Sequence, residues 1–170
     1  MITGIVSLDD ERGSGKTLLM AKRLLRRYRE GMKIFTNFTI RVPHEKIDSK
    51  RLLRFGDDIM HCAIGLDEIQ VFLDSRDPGK DSNKKISYFI SQIRKRQIVL
   101  FWTSQYEMLV DKRLRRATDY WVYCKQIAKN KFWYVVYDRR GRKVKGPIVY
   151  DGRKWYGLYK TGEVITDFTV

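Results

Sequence analysis

Apolar positions in this chain fall into short unbroken runs separated by stretches of helical spacing. Residues 2–8 form the first run, the pattern of a strand buried on both faces. Over residues 17–30, Leu18, Leu19, Ala21, Leu24, Leu25 and Tyr28 share one face of a helix. Lys22, Arg23, Arg26, Arg27 and Arg29 line the opposite face, and Gly31 is placed to end the helix. Residues 33–40 read as a second strand, and residues 41–60, with Pro43 and Asp57-Asp58, as a loop and a short helix. Residues 61–66 are a further apolar run that ends in Asp67-Glu68. Pro78-Gly79 marks residues 77–83 as a loop, and Ile86, Phe89, Ile90 and Ile93 put one face of a helix over residues 84–96. Residues 97–103 are a fourth apolar strand, ending in Ser104-Gln105, and residues 119–126 a fifth.

Beyond that point the pattern changes. Residues 131–137, 142–150 and 153–159 alternate, are rich in aromatics, and are separated by Arg140-Gly141 and Asp151-Gly152. That is the pattern of antiparallel hairpins. The expected fold is α/β, with a mostly parallel sheet between helices and C-terminal antiparallel hairpins. A length of 170 residues predicts a single domain, with a core over residues 1–126 and appended hairpins over 127–170.

Composition narrows the class. Hydrophobic content of 43% and aromatic content of 13% exclude a disordered chain. No apolar run approaches the ~20 residues of a membrane span, and the N-terminus lacks the features of a signal peptide. Cys62 and Cys124 have no metal-ligand spacing, and a reduced, intracellular state is expected. The net charge is +15 and unevenly spread. Residues 1–76 carry 14 Lys/Arg against 11 Asp/Glu, and residues 77–170 carry 21 against 9. Such a half suggests a polyanionic partner, most simply DNA. The plain alternative is a solvated, ion-paired surface. Trp133, Tyr134, Tyr137, Trp155 and Tyr156 lie among the cations, where they can stack on bases or adenine, although core and cross-strand pairing is the commoner role.

The candidate chemistry sits at two strand ends. Arg12-Gly13-Ser14-Gly15-Lys16-Thr17 joins the first strand to the first helix, the context of a phosphate-binding P-loop. Gly13 and Gly15 free backbone N–H groups to converge with Ser14 on phosphate oxygens, and the helix start adds its positive dipole end. Lys16 is placed to reach the β- and γ-phosphates of ATP, and Thr17 to hold Mg²⁺. Asp10 stands where the motif has its first glycine, and with Asp9 and Glu11 it brings negative charge near the phosphates. A glycine turn capping an ordinary helix is the alternative. Asp67 is placed to bind the metal and Glu68 to act as general base on the attacking water. A polar residue after the fourth strand can hold that water or sense the γ-phosphate. Four cations in residues 112–116 form either a basic helix end or an arginine finger for a neighbouring subunit.

The order of these pieces resembles the zonula occludens toxin-like ATPases of filamentous phages and the viral genome-packaging ATPases of the FtsK–HerA group. The resemblance rests on Gly13 to Thr17, the strand Lys33 to Asn37, Leu66-Asp67-Glu68-Ile69-Gln70, Asp74-Ser75-Arg76, Thr103-Ser104-Gln105, Val110-Asp111-Lys112-Arg113-Leu114-Arg115, and Leu158-Tyr159-Lys160-Thr161-Gly162-Glu163. It implies a RecA-like core that hydrolyses ATP with Mg²⁺, Gln105 as sensor, and Arg115, or failing that Arg113, as finger. It also implies a homo-oligomeric ring, often hexameric. The membrane helix of the phage proteins is missing, which favours a soluble packaging motor, in a host cytoplasm or on an assembling virion beside capsid proteins. The leading expectation is therefore an ATP-driven DNA-packaging or virion-assembly translocase. Its alternatives are a nucleotide-gated DNA-binding or assembly protein with little hydrolysis, and a small-molecule kinase.

Overall fold

The computed structural model describes residues 1–8, 13–54, 56–71, 80–160 and 162–163. In chain order the elements are β1 (Ile2–Ser7), α1 (Lys16–Arg29), β2 (Lys33–Thr36), β3 (Glu45–Lys46), α2 (Ser49–Arg54) and β4 (Cys62–Leu66), then α3 (Lys80–Lys95), β5 (Val99–Ser104), α4 (Lys112–Ala117), β6 (Tyr120–Ala128), β7 (Lys131–Asp138) and β8 (Lys143–Asp151). They build one eight-stranded sheet in the order β3-β2-β4-β5-β1-β6-β7-β8. Pairing is parallel from β3 through β6, then antiparallel for β6-β7-β8. The sheet is thus mostly parallel with a C-terminal antiparallel extension, as the pattern predicts.

The alternation of a strand sends successive side chains to opposite faces, and two cores result. Ile2, Val6, Cys62, Ile64, Leu66, Leu100 and Trp102 face one way, packed with Phe89 and Ile93 of α3 and Leu114 of α4. Ile5, Ala63 and Phe101 face the other way, toward Leu19, Met20 and Leu24 of α1. Central strands covered on both faces explain the continuous apolar runs. At Gly65, a Cβ would lie 2.5 Å from a methyl carbon of Leu24, so only glycine lets α1 sit this close to β4. Cys62 and Cys124 are buried and unpaired, and burial pushes both thiols up to about 12.

Three expectations need correction. Residues 80–83 belong to α3 rather than to a loop. The strand expected over 33–40 stops at Thr36, and Ile40 contributes only an isolated bridge to Tyr159. Residues 153–159 are not a strand but two short 3₁₀ turns, Gly152–Lys154 and Tyr156–Leu158. The turn is made locally, since the Asp151 carboxylate accepts from the Arg153 N–H at 2.9 Å. Gly152 also presses on Phe132, where a Cβ would lie 2.5 Å from the ring. The chain therefore leaves the sheet and runs back as a strap, tied by Arg41 N–H to Leu158 C=O and Lys160 N–H to Thr39 C=O.

Candidate active site

The C-terminal ends of β1, β4 and β5 meet at one place, where ligands bind in open α/β sheets. Residues 9–12, with Asp9, Asp10, Glu11 and Arg12, lie outside the described residues, as does the Asp74-Ser75-Arg76 segment. From Gly13 onward the loop is defined. Gly13 and Gly15 have φ of 77° and 87°, the left-handed region that costs glycine nothing. Gly15 caps α1, and Lys16 and Thr17 open the helix. Phe132 of β7 packs against this turn, so that a Cβ at Gly15 would lie 2.6 Å from its ring.

Lys16 is only 8% exposed. Its Nζ reaches Ser14 Oγ at 3.3 Å and no carboxylate among the described residues. A buried ammonium without an anion is unfavourable, so the site is built for negative charge. Thr17 Oγ1 donates to both oxygens of Asp67, at 3.0 and 3.1 Å, joining the helix start to the end of β4. Thr103 of β5 donates to Asp67 at 2.5 Å and accepts from the Glu68 N–H at 3.0 Å. Asn37 grips the Asp67 backbone twice, donating to its C=O at 2.7 Å and accepting from its N–H at 2.8 Å.

Burial pushes the Asp67 carboxyl up to about 6. The Thr103 and Thr17 hydroxyls and the Lys16 charge pull it down, while Glu68 pushes it further up. Glu68 sits at φ 50°, an uncommon conformation for a side-chain-bearing residue. Gln70 Nε2 donates to one of its oxygens at 2.5 Å and Gln105 Nε2 to the other at 3.4 Å.

Gly13, Ser14, Gly15, Lys16, Thr17, Glu68 and Gln105 line a single cavity of about 910 Å³, whose lining also includes Gln126, Phe132, Tyr156 and Tyr159. The residues present fit a nucleoside triphosphate with a divalent cation. The glycine turn leaves room for phosphate, Lys16 has no anionic partner among the described residues, and a hydroxyl paired with a buried carboxylate is a hard-oxygen donor set.

No protein-family model matches the chain, and no curated protein matches it in sequence. Solved structures do. The N-terminal domain of zonular occludens toxin from Neisseria meningitidis superposes with a TM-score of 0.67 at 19% identity, over 94% of this chain and 98% of that one. The genome packaging NTPase B204 of Sulfolobus turreted icosahedral virus 2, solved with AMP, gives 0.62 at 8% identity, over 94% and 96%. The flagellar accessory protein FlaH of Methanocaldococcus jannaschii gives 0.62 at 10%, over 88% and 84%. The chain has the RecA-like P-loop NTPase fold.

Within this fold the expected arginines stand apart from the P-loop. Arg113 is held by Asp111, the N-cap of α4, through contacts of 2.8 to 3.0 Å. Arg115 donates to Val110 C=O at 3.0 Å and lines a different cavity. Neither lines the cavity at the P-loop. Asn37, Gln70 and Tyr159 lie in stretches that carry the resemblance but had no role assigned to them, and Phe132 was not marked, because an isolated aromatic residue carries no motif. Tyr156 was marked only by its basic surroundings. Of the other aromatics marked there, Tyr134 belongs to the core and Tyr137 stacks edge-on to Tyr123.

Proposed function

We propose that this chain is an Mg²⁺-dependent ATPase that drives translocation of nucleic acid, of the viral DNA-packaging or virion-assembly type. The observation that carries this reading is the Thr17–Asp67 contact beside Lys16, with Glu68 and Gln105 on the same cavity. The fold shared with a viral genome packaging NTPase and the basic half of the chain support it. Backbone N–H groups of the glycine turn and Lys16 bind the phosphates. Thr17 and Asp67 hold the cation, which supplies Lewis-acid stabilisation of phosphate charge when bound. Glu68 accepts a hydrogen bond from the attacking water and turns its lone pair toward the γ-phosphate, and Gln105 fixes the water from the other side. A ring of copies supplies Arg115, or failing that Arg113, to a neighbour's site, and capsid or virion proteins are its docking partners.

The test is ATP turnover by assembled protein with and without DNA. Glu68→Gln should lower turnover by about 100-fold or more while nucleotide binding persists, and Lys16→Ala should abolish binding. Turnover that is undetectable with and without DNA ends the motor reading. One observation favours a second reading, a nucleotide-gated DNA-binding or assembly protein with little hydrolysis. Both Glu68 oxygens are already held by glutamine amides. Under that reading, DNA affinity changes with bound nucleotide and turnover stays slow in Gln70→Ala.

A further inference from the structure

The second large cavity, about 680 Å³, lies between α4 and the face of β6 and β7. Its floor is aromatic. Trp121 and Tyr123 are alternate residues of β6 and so share a face, and Tyr137 of β7 lies directly across from Trp121. All three are half-buried rather than sealed in the core. Tyr123 and Tyr137 meet edge to face at 5.7 Å, and Trp121 is braced the same way by the buried Trp102 at 5.4 Å. The rim is cationic, with Lys112, Arg115 and Arg116 from α4 and Arg139 from the turn after β7.

Among the described residues none of these four cations forms an ion pair. Asp138 also lines the cavity, but it is engaged by Arg142 at 2.7 Å. Glu107 is the other acid on the wall. An ordinary ion-paired surface would have matched these charges locally. Here four cations with no ion pair among the described residues border half-buried aromatic faces, an arrangement that can hold phosphates while stacking bases.

We infer that this cavity is a binding site for single-stranded nucleic acid, with bases stacked on Trp121, Tyr123 and Tyr137 and the backbone phosphates on Lys112, Arg116 and Arg139. In a duplex the base faces are covered by their neighbours, so a recessed aromatic floor can be reached only by an unpaired strand. The inference deepens the nucleic-acid part of the reading above and is independent of hydrolysis. Arg115 is shared with the finger role and is left unchanged in the test.

The experiment measures binding of a labelled oligothymidylate of about 12 nucleotides, without nucleotide, to the full chain at fixed salt. An abasic oligonucleotide of the same length and a duplex serve as comparators. The double variant Arg116→Glu/Arg139→Glu, on exposed positions, should weaken all single-strand binding at least tenfold. Tyr137→Ala should weaken oligothymidylate by about 5- to 100-fold and leave the abasic strand unchanged. Reversing Arg23 and Arg26 on the outer face of α1 should matter less than the cavity pair. The inference is overturned if the duplex binds more tightly than the single strand, or if Tyr137→Ala weakens both oligonucleotides equally. It is also overturned if the α1 reversal removes binding that the cavity variants retain. Should the double variant alter only the sedimentation of the protein, the cavity is an interface between copies. Oligothymidylate binding by the parent chain that Tyr137→Ala weakens, beside ATP turnover absent from the assembled parent with and without DNA, would sink the motor and spare this site. DNA-stimulated turnover unaffected by the cavity variants would do the reverse.

Discussion

Asp67 carries a burial cost that its neighbours only partly offset. Folding raises its pKa from the ordinary 3.8 to about 6, so the unfolded chain releases this proton first as pH rises. The group therefore favours the folded state below pH 3.8 relative to higher pH, and stability is lost as pH climbs from there to about 6. The loss amounts to roughly 3 kcal/mol at about 1.4 kcal/mol per pH unit. Denaturant unfolding of Asp67→Asn against the parent should show the variant gaining relative stability between pH 4 and 7. Addition of Mg²⁺ and nucleotide should shrink that gap, because a cation beside the ionised carboxylate removes its cost. A gap that is flat with pH would rule this account out. Gly15 is equally exacting for a steric reason. Its φ of 87° and the Phe132 ring 2.6 Å from a would-be Cβ penalise any side chain. Gly15→Ala should cost on the order of 1–3 kcal/mol and reduce nucleotide binding, read by calorimetry and thermal melting.

At the scale of elements, the strap that follows β8 decides what shape the nucleotide cavity has. Its last described residues, Gly162 and Glu163, return to the loop after β2. The Glu163 carboxylate accepts from the Thr39 N–H at 2.6 Å, from the Thr39 hydroxyl at 3.0 Å and from Lys46 at 2.7 Å. Burial alone would raise its pKa, but these partners outweigh burial and hold it below the ordinary value. Thr39 is two residues from Asn37, which grips the Asp67 backbone, so one short segment touches both the strap and the end of β4. Tyr156 hangs from the strap with its hydroxyl on Asn130 at 2.8 Å and its ring edge-on to Phe132 at 6.5 Å. It lines the same cavity as the P-loop and offers an aromatic ring on which a base can pack. Tyr156→Ala should therefore weaken ATP binding by about 1 kcal/mol while leaving tripolyphosphate unchanged. Equal losses for the two ligands would show that the strap acts on the P-loop instead of on the base.

For the whole molecule, the question is whether one chain holds a complete site. The separation of Arg113 and Arg115 from the P-loop cavity makes the finger testable only in an assembly. Arg115→Ala should lower turnover on the order of 10³-fold. Mixing it with Glu68→Gln should restore part of the activity, since a hybrid interface pairs an intact arginine with an intact base. No recovery on mixing would argue for action within one chain. Much of this architecture was legible in the linear chain. The P-loop is five consecutive residues, Gly13 to Thr17, whose function lies in local backbone geometry, and strand ends bearing Asp67-Glu68 and Ser104-Gln105 follow from apolar runs that must be buried on both faces. Strand and helix types were legible for the same reason, because their periodicity is local. The turn at Gly152 was not, since residues 153–159 alternate as a strand would, and the close approach of Phe132, from another strand, that only glycine at 152 admits is not written in the local sequence. Asn37 became a brace for Asp67, and Tyr156 a wall of the cavity, only when β2 and the strap were packed beside them. Such roles depend on contacts between residues 26 to 30 positions apart, as in Asn37–Asp67 and Asn130–Tyr156. Neighbours in sequence carry no record of that packing, so the glycine turn with its lysine and threonine belongs to the local order of residues, and the shape of the cavity around it to the assembled sheet and strap.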